Sequence, residues 1–250
     1  MCLCRTVPRV EKFSNTVSAQ PAEVLGEPAC IVYVVSMAIV LNDKHYETFL
    51  ENQFGCGSDA AHDLSHVRRV VRTAVQLAEA EGAVMDVVYP AAWLHDCVVV
   101  PKDSADRSKA STLAAEAATA FLRSVEYPSQ YLDDIHHAIE AHSFSRGMIA
   151  RTLEAKVVQD ADRLDALGAI GIARCFSVGG RLGRLFYSPI DPFCEERPPD
   201  DLQWTVDHFF QKLLRLEHTM QTATGRDEAG RRTVFIQAFL EKLRDEIRTV

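Results

Sequence analysis

The chain lacks an apolar run of the roughly 20 residues that a membrane-spanning helix needs. Residues 29 to 41, ACIVYVVSMAIVL, are mostly apolar but cover only 13 positions, and they lie too far from the start for an ordinary secretory signal. Basic charge is also short: 27 Lys and Arg stand against 35 Asp and Glu, a formal net charge of -8. General nucleic-acid and membrane-surface binders carry a basic face, so neither a stable nucleic-acid complex nor a membrane partner is expected. A small anionic substrate stays open if a metal or a few placed bases neutralise it. The seven cysteines are odd in number, scattered and without a CxxC pair, which excludes a regular disulfide framework or zinc ribbon. They read as thiols of a reducing, cytoplasmic compartment. Cys97 has nothing nearby arranged to activate it. Strand alternation, internal repeats and low-complexity segments are missing as well.

What is present is an ordinary globular balance, 47% apolar and 25% charged in 250 residues, enough for a substantial core. Residues 1 to 36 have no clear periodicity and are read as a dispensable extension, with one domain over 37 to 250. From about residue 42 nearly every segment reads as helix. Asn42 or Asp43 can cap a helix through Phe54. Asp63 can cap a second, in which Val67, Val70, Val71, Ala74, Leu77 and Ala78 recur at helical spacing before Gly82. Further helices are expected over 84–97, over the alanine-rich segment ending before Pro128, and over 128–142. TLEAKVVQDADRLDALGAIGIARCF reads as one long helix or two broken near Gly168. A Gly/Pro-rich loop is expected over about 177–200. A C-terminal helical pair, roughly 200–221 and 226–248, should pack on the rest. The fold class is all-α.

Four stretches carry candidate chemistry. In AHDLSH, His62 and His66 are four apart and would share a helix face like a metal-binding pair, although a cap at Asp63 leaves His62 outside the helix. In LHD, His95 and Asp96 diverge by about 100° on a helix, so one ion reaches both only at the helix end. In VVQDADRLDALG, the acids Asp160, Asp162 and Asp165 interrupt an apolar helix, and periodicity does not say which faces the core. In DIHHAIEAHSFS, His136 and His137 fall off the apolar face and are taken as exposed, while His142 continues that face at its end.

Taken in order, His66, His95-Asp96 and ADRLD give a series H…HD…D. With SHVRRV, AAWLHD, AHSFSRG and DPF…R…DDLQWTVDHFFQKLL, it resembles the HD-domain metal-dependent phosphohydrolase superfamily. Within it, the chain is similar to small stand-alone bacterial HD proteins from about residue 42 onward. The resemblance implies one divalent metal held by His66, His95, Asp96 and Asp162, with Asp160 orienting a ligand from behind. Manganese, magnesium, iron or another first-row ion would suit that mixed set. It also implies hydrolysis of a phosphorylated small molecule by a metal-activated water. Nucleoside triphosphates cleaved to monophosphate and pyrophosphate are the leading substrates. A deoxynucleoside monophosphate phosphatase and a non-catalytic nucleotide sensor are the rivals, and a homodimer is allowed. Asp96 and His142 are the expected catalytic groups, His142 as proton donor or phosphate contact. Lys102, Arg107 and Arg163 are candidate phosphate-binding bases; Lys102 and Arg107 read equally well as solvated charges. One departure stands out: some HD enzymes carry a carboxylate three or four residues after the pair, where this chain has Val99 and Val100.

Overall fold

The computed structural model describes residues 41–54, 64–98, 100, 109–143 and 147–248. The expected extension over 1–36 lies outside the described residues, as do His62, Asp63, Val99, Lys102 and Arg107. Among the described residues there is no strand, only an isolated bridge between Leu185 and Trp204. The all-α expectation is correct.

Helix α1 (Asp43–Phe54) leads to α2 (Leu64–Glu81), which buries the apolar series read from the sequence. Each such Val or Leu adds roughly 1.5–3 kcal/mol when removed from water. Gly82 ends α2 with φ +75, its amide donating to the Ala78 carbonyl. Helix α3 (Met85–Leu94) is buried nearly all round from Val87 to Leu94 and contains Pro90. Proline has no N–H for the carbonyl four residues back, here that of Asp86. The Tyr127 hydroxyl donates to that carbonyl instead, at 2.7 Å.

Alanine lines the inner side of α4 (Ala110–Ser124), which packs on α5 (Leu132–Ala141). Helix α6 (Leu153–Asp165) is capped by Thr152, whose side chain accepts from the Ala155 amide. Two helices, not one, fill the next stretch. Gly168 takes φ +67, strained for any residue with a side chain, and separates α6 from α7 (Gly168–Arg181).

The loop expected over 177–200 is displaced. Helix α7 runs on to Arg181, and the chain then stays non-helical beyond residue 200, up to Val206. Side chains satisfy its backbone. Asp191 accepts the amides of Glu195, Glu196 and Arg197, and fully buried Asp207 accepts two guanidinium bonds from Arg197 plus the Asp200 amide. The first C-terminal helix therefore starts late. It is a π turn at Phe209–Leu213 continued by α8 (Leu214–Leu216) and a 3-10 turn to Thr219. Helix α9 (Ala223–Arg248) closes the chain and packs on α2, α6 and α7.

The core is built on α2, α3, α5 and α6. Helix α2 lies against α3 and α6, and α5 lies against α3, α4 and α6. These same four helices bring polar residues to one spot.

Candidate metal centre

His66 sits in the first turn of α2, and His95 and Asp96 follow the last residue of α3. His142 follows α5, and Asp162 projects from α6. The end of α3 resolves the difficulty of adjacent ligands: where the helix stops, neighbouring side chains can converge. His66 Nε2 lies 3.5 Å from Asp162 Oδ1 and 4.0 Å from Asp96 Oδ2. His95 Nε2 lies 3.7 Å from Asp96 Oδ2 and 3.9 Å from Asp162 Oδ1. His142 Nε2 stands 3.4 Å from Asp96 Oδ1. Donor atoms of His66, His95 and Asp162 fall within 4.8 Å of one another, so one ion can touch all three.

The donor set fits a cation. The Nδ1–H of His95 donates to the Ala92 carbonyl at 2.8 Å, which leaves Nε2 as a lone-pair acceptor. That Nε2 is buried and has no hydrogen-bond partner. Such a group costs about 1–3 kcal/mol unless something satisfies it. Burial holds the His95 imidazolium unfavourable and lowers its pKa to about 4, so the ring stays neutral and able to ligate. Burial opposes ionisation of Asp162, but the surrounding imidazoles, of which His142 carries the charge, hold the carboxyl below its usual range. His142 goes the other way. Burial disfavours its charge, yet the hydrogen bond and charge of Asp96 raise it to about 9.

Asp160 requires a correction. Its carboxylate does not orient a ligand; it accepts the Gln221 and Thr222 amides and the Thr222 hydroxyl at the start of α9. The acid behind a ligand is Asp165, which received no role from sequence. It is buried, and it accepts His66 Nδ1–H at 2.7 Å, Arg69 Nε at 2.6 Å and an Arg174 N–H. A signal was available: Asp165 is three residues beyond Asp162, on the same face of the helix.

Arg163 donates to the Thr219 carbonyl at 2.5 Å, which joins α6 to the segment before α9. His137 also requires a correction, being buried, with Nε2 accepting the Arg151 amide at 3.0 Å. Val100, four residues after Asp96, is buried and apolar, so that position offers no acid.

A match to the HD domain family covers residues 63–167, the span from the start of α2 to the end of α6. An uncharacterised protein of Bacillus subtilis strain 168, YpgQ, is 35% identical over 192 residues, covering 75% of this chain and 85% of its own. The chain belongs to the HD-domain family. A solved HD-superfamily hydrolase from Bacillus thuringiensis superposes on this HD protein with TM-score 0.64 and 32% identity. It covers 83% of this chain and 97% of its own. The structure of B. subtilis YpgQ in complex with ADP matches with TM-score 0.62 and 32% identity, over 82% and 97%. This HD protein is accordingly a metal-dependent phosphohydrolase of all-α fold. No described helix is long and apolar enough to cross a membrane.

Proposed function

We propose that the protein hydrolyses nucleotides, cleaving nucleoside triphosphates to monophosphate and pyrophosphate at the His66–His95–Asp96–Asp162 cluster. The observation that carries the reading is the buried, unpartnered His95 Nε2 facing two carboxylates. These four residues would hold one divalent first-row ion, with manganese the first to test. When bound, such an ion lowers the pKa of a water and polarises a phosphoryl oxygen. The protein's own residues do the rest. His95 stays neutral because it is buried, and Asp162 stays charged beside the protonated His142. His142 keeps a proton on Nε2, beside Asp96 Oδ1, where it can be passed to a leaving oxygen. Lys102 and Arg107, shortly after the His-Asp pair, are proposed to balance phosphate charge, because the chain as a whole is acidic. The nucleotide class is supported by the YpgQ relative in complex with ADP. A cytoplasmic setting agrees with the cysteine pattern.

The test is a screen of metal-stripped protein refilled with manganese, magnesium, iron or zinc. Nucleoside triphosphates and deoxynucleoside monophosphates are assayed, with phosphate and pyrophosphate measured separately. Pyrophosphate from triphosphates is expected. Phosphate from deoxynucleoside monophosphates alone would replace the reading with that of a phosphomonoesterase, and no turnover of either class would overturn the nucleotide assignment.

A further inference from the structure

Among the described residues three histidines reach the centre, and they are oriented in two different ways. His95 and His142 each follow a helix, and each aims Nδ1 at the carbonyl three residues back, that of Ala92 at 2.8 Å and Ile139 at 2.5 Å. Their ring orientations are thus fixed by their own backbone. His66 stands instead in the first turn of α2, and its Nδ1 meets a carboxylate from another helix, Asp165 Oδ2 at 2.7 Å. That carboxylate is itself held. Arg69, also from α2, forks onto it with Nε and Nη2 at 2.6 and 3.0 Å, and Arg174 from α7 donates to the same oxygen that meets His66.

We infer that Asp165 is a positioning residue: gripped by Arg69 and Arg174, it fixes His66 as the Nδ1–H tautomer, so that the Nε2 lone pair faces Asp96 and Asp162. The inference rests on the proposed metal reading but assigns a residue outside the four ligands. Burial alone would place Asp165 between two guanidiniums, and those two would satisfy its charge. The short bond to Nδ1 adds something a packing role does not need. A carboxylate or carbonyl behind a ligating histidine selects the tautomer and raises the basicity of the metal-facing nitrogen. A competing arrangement exists, since Arg174 Nη1 lies 3.2 Å from His66 Nδ1. If that guanidinium donated to Nδ1, the proton would move to Nε2 and block ligation. The 2.7 Å carboxylate contact is shorter and charge-assisted, and it favours the ligating tautomer.

Two measurements test this. In the metal-free parent, two-bond nitrogen–proton correlation of the imidazole resonances should show His66 protonated at Nδ1 only. The Asp165→Ala variant should show mixed His66 tautomers while His95 remains Nδ1-protonated, because its carbonyl partner is untouched. Its manganese affinity, read by calorimetry, should fall about 10–100-fold, the usual loss for a partner behind a ligand. Arg174→Gln keeps the His66–Asp165 bond and should retain the parent's His66 tautomer. An Nε2-protonated His66 in the parent would overturn the inference, as would parent-like manganese affinity in Asp165→Ala. If Asp165→Ala does not fold, the parent's tautomer still decides. A parent that binds no divalent ion overturns the metal reading and the affinity half of this inference, while the tautomer spectrum still tests the positioning half.

Discussion

Asp160 and Asp162 lie two residues apart on α6 and lead opposite lives. Asp160 is 0% exposed and saturated with donors, two backbone amides and a hydroxyl at the start of α9. Gly225 lies so close that a Cβ there would come within 2.5 Å of its Oδ2. Asp162 instead faces the Nε2 atoms of His66 and His95, which offer lone pairs rather than protons once both rings are Nδ1-protonated. One acid is a completed structural joint, and the other belongs to a site that a cation completes. On an apolar helix the same residue type does either task, and the difference is made by what its neighbours can donate.

The largest effect expected from breaking this comparison is at Asp162. Asp162→Ala should lower steady-state turnover by at least about 10²–10³-fold, the loss typical of a group that stabilises charge in the transition state. The thermal midpoint of the metal-free protein should stay near the parent's, because no folding joint is lost. Stripping the parent with a chelator should give the same loss of turnover, and returning the ion should rescue the parent but not the variant. His142→Asn comes next, with kcat down about 10²-fold, the lower end for a positioned acid, and metal affinity close to the parent's by calorimetry.

Asp160→Ala should do the reverse of Asp162→Ala. Stability should fall by about 3 kcal/mol in denaturant unfolding, since buried amides lose a charged acceptor. Manganese binding by the folded fraction should persist. Gly225→Ala sharpens the point by crowding the same carboxylate with one methyl, at a cost of about 1–3 kcal/mol. The smallest effect belongs to the ends of the chain: deletion of residues 1–36 should leave both turnover and thermal midpoint unchanged.

The helices were legible where apolar spacing and stops agreed, as in α2 between its buried valines and Gly82. The ordered His and Asp positions were legible too, because they are punctuation in apolar segments. The tasks of Asp160 and Asp165 were not. Asp160 takes its partners from 61 and 62 residues away, and Asp165 takes Arg69 and His66 from 96 and 99 away; the spacing to Asp162 marks the face of Asp165 but not these partners. His137 looked exposed for a related reason, since its cover is the backbone of Arg151. The segment over 200–206 reads as the start of an amphipathic helix but is not helical. The Arg197–Asp207 pair and the Asp191 carboxylate satisfy that backbone in another way.

The most direct test is anomalous diffraction from crystals of the full chain grown with manganese. One strong peak is predicted between His66 Nε2, His95 Nε2, Asp96 and Asp162, with Asp165 still on His66 Nδ1. A peak ligated by Asp160, or a bound ion that none of His66, His95 and Asp162 touches, would contradict the account.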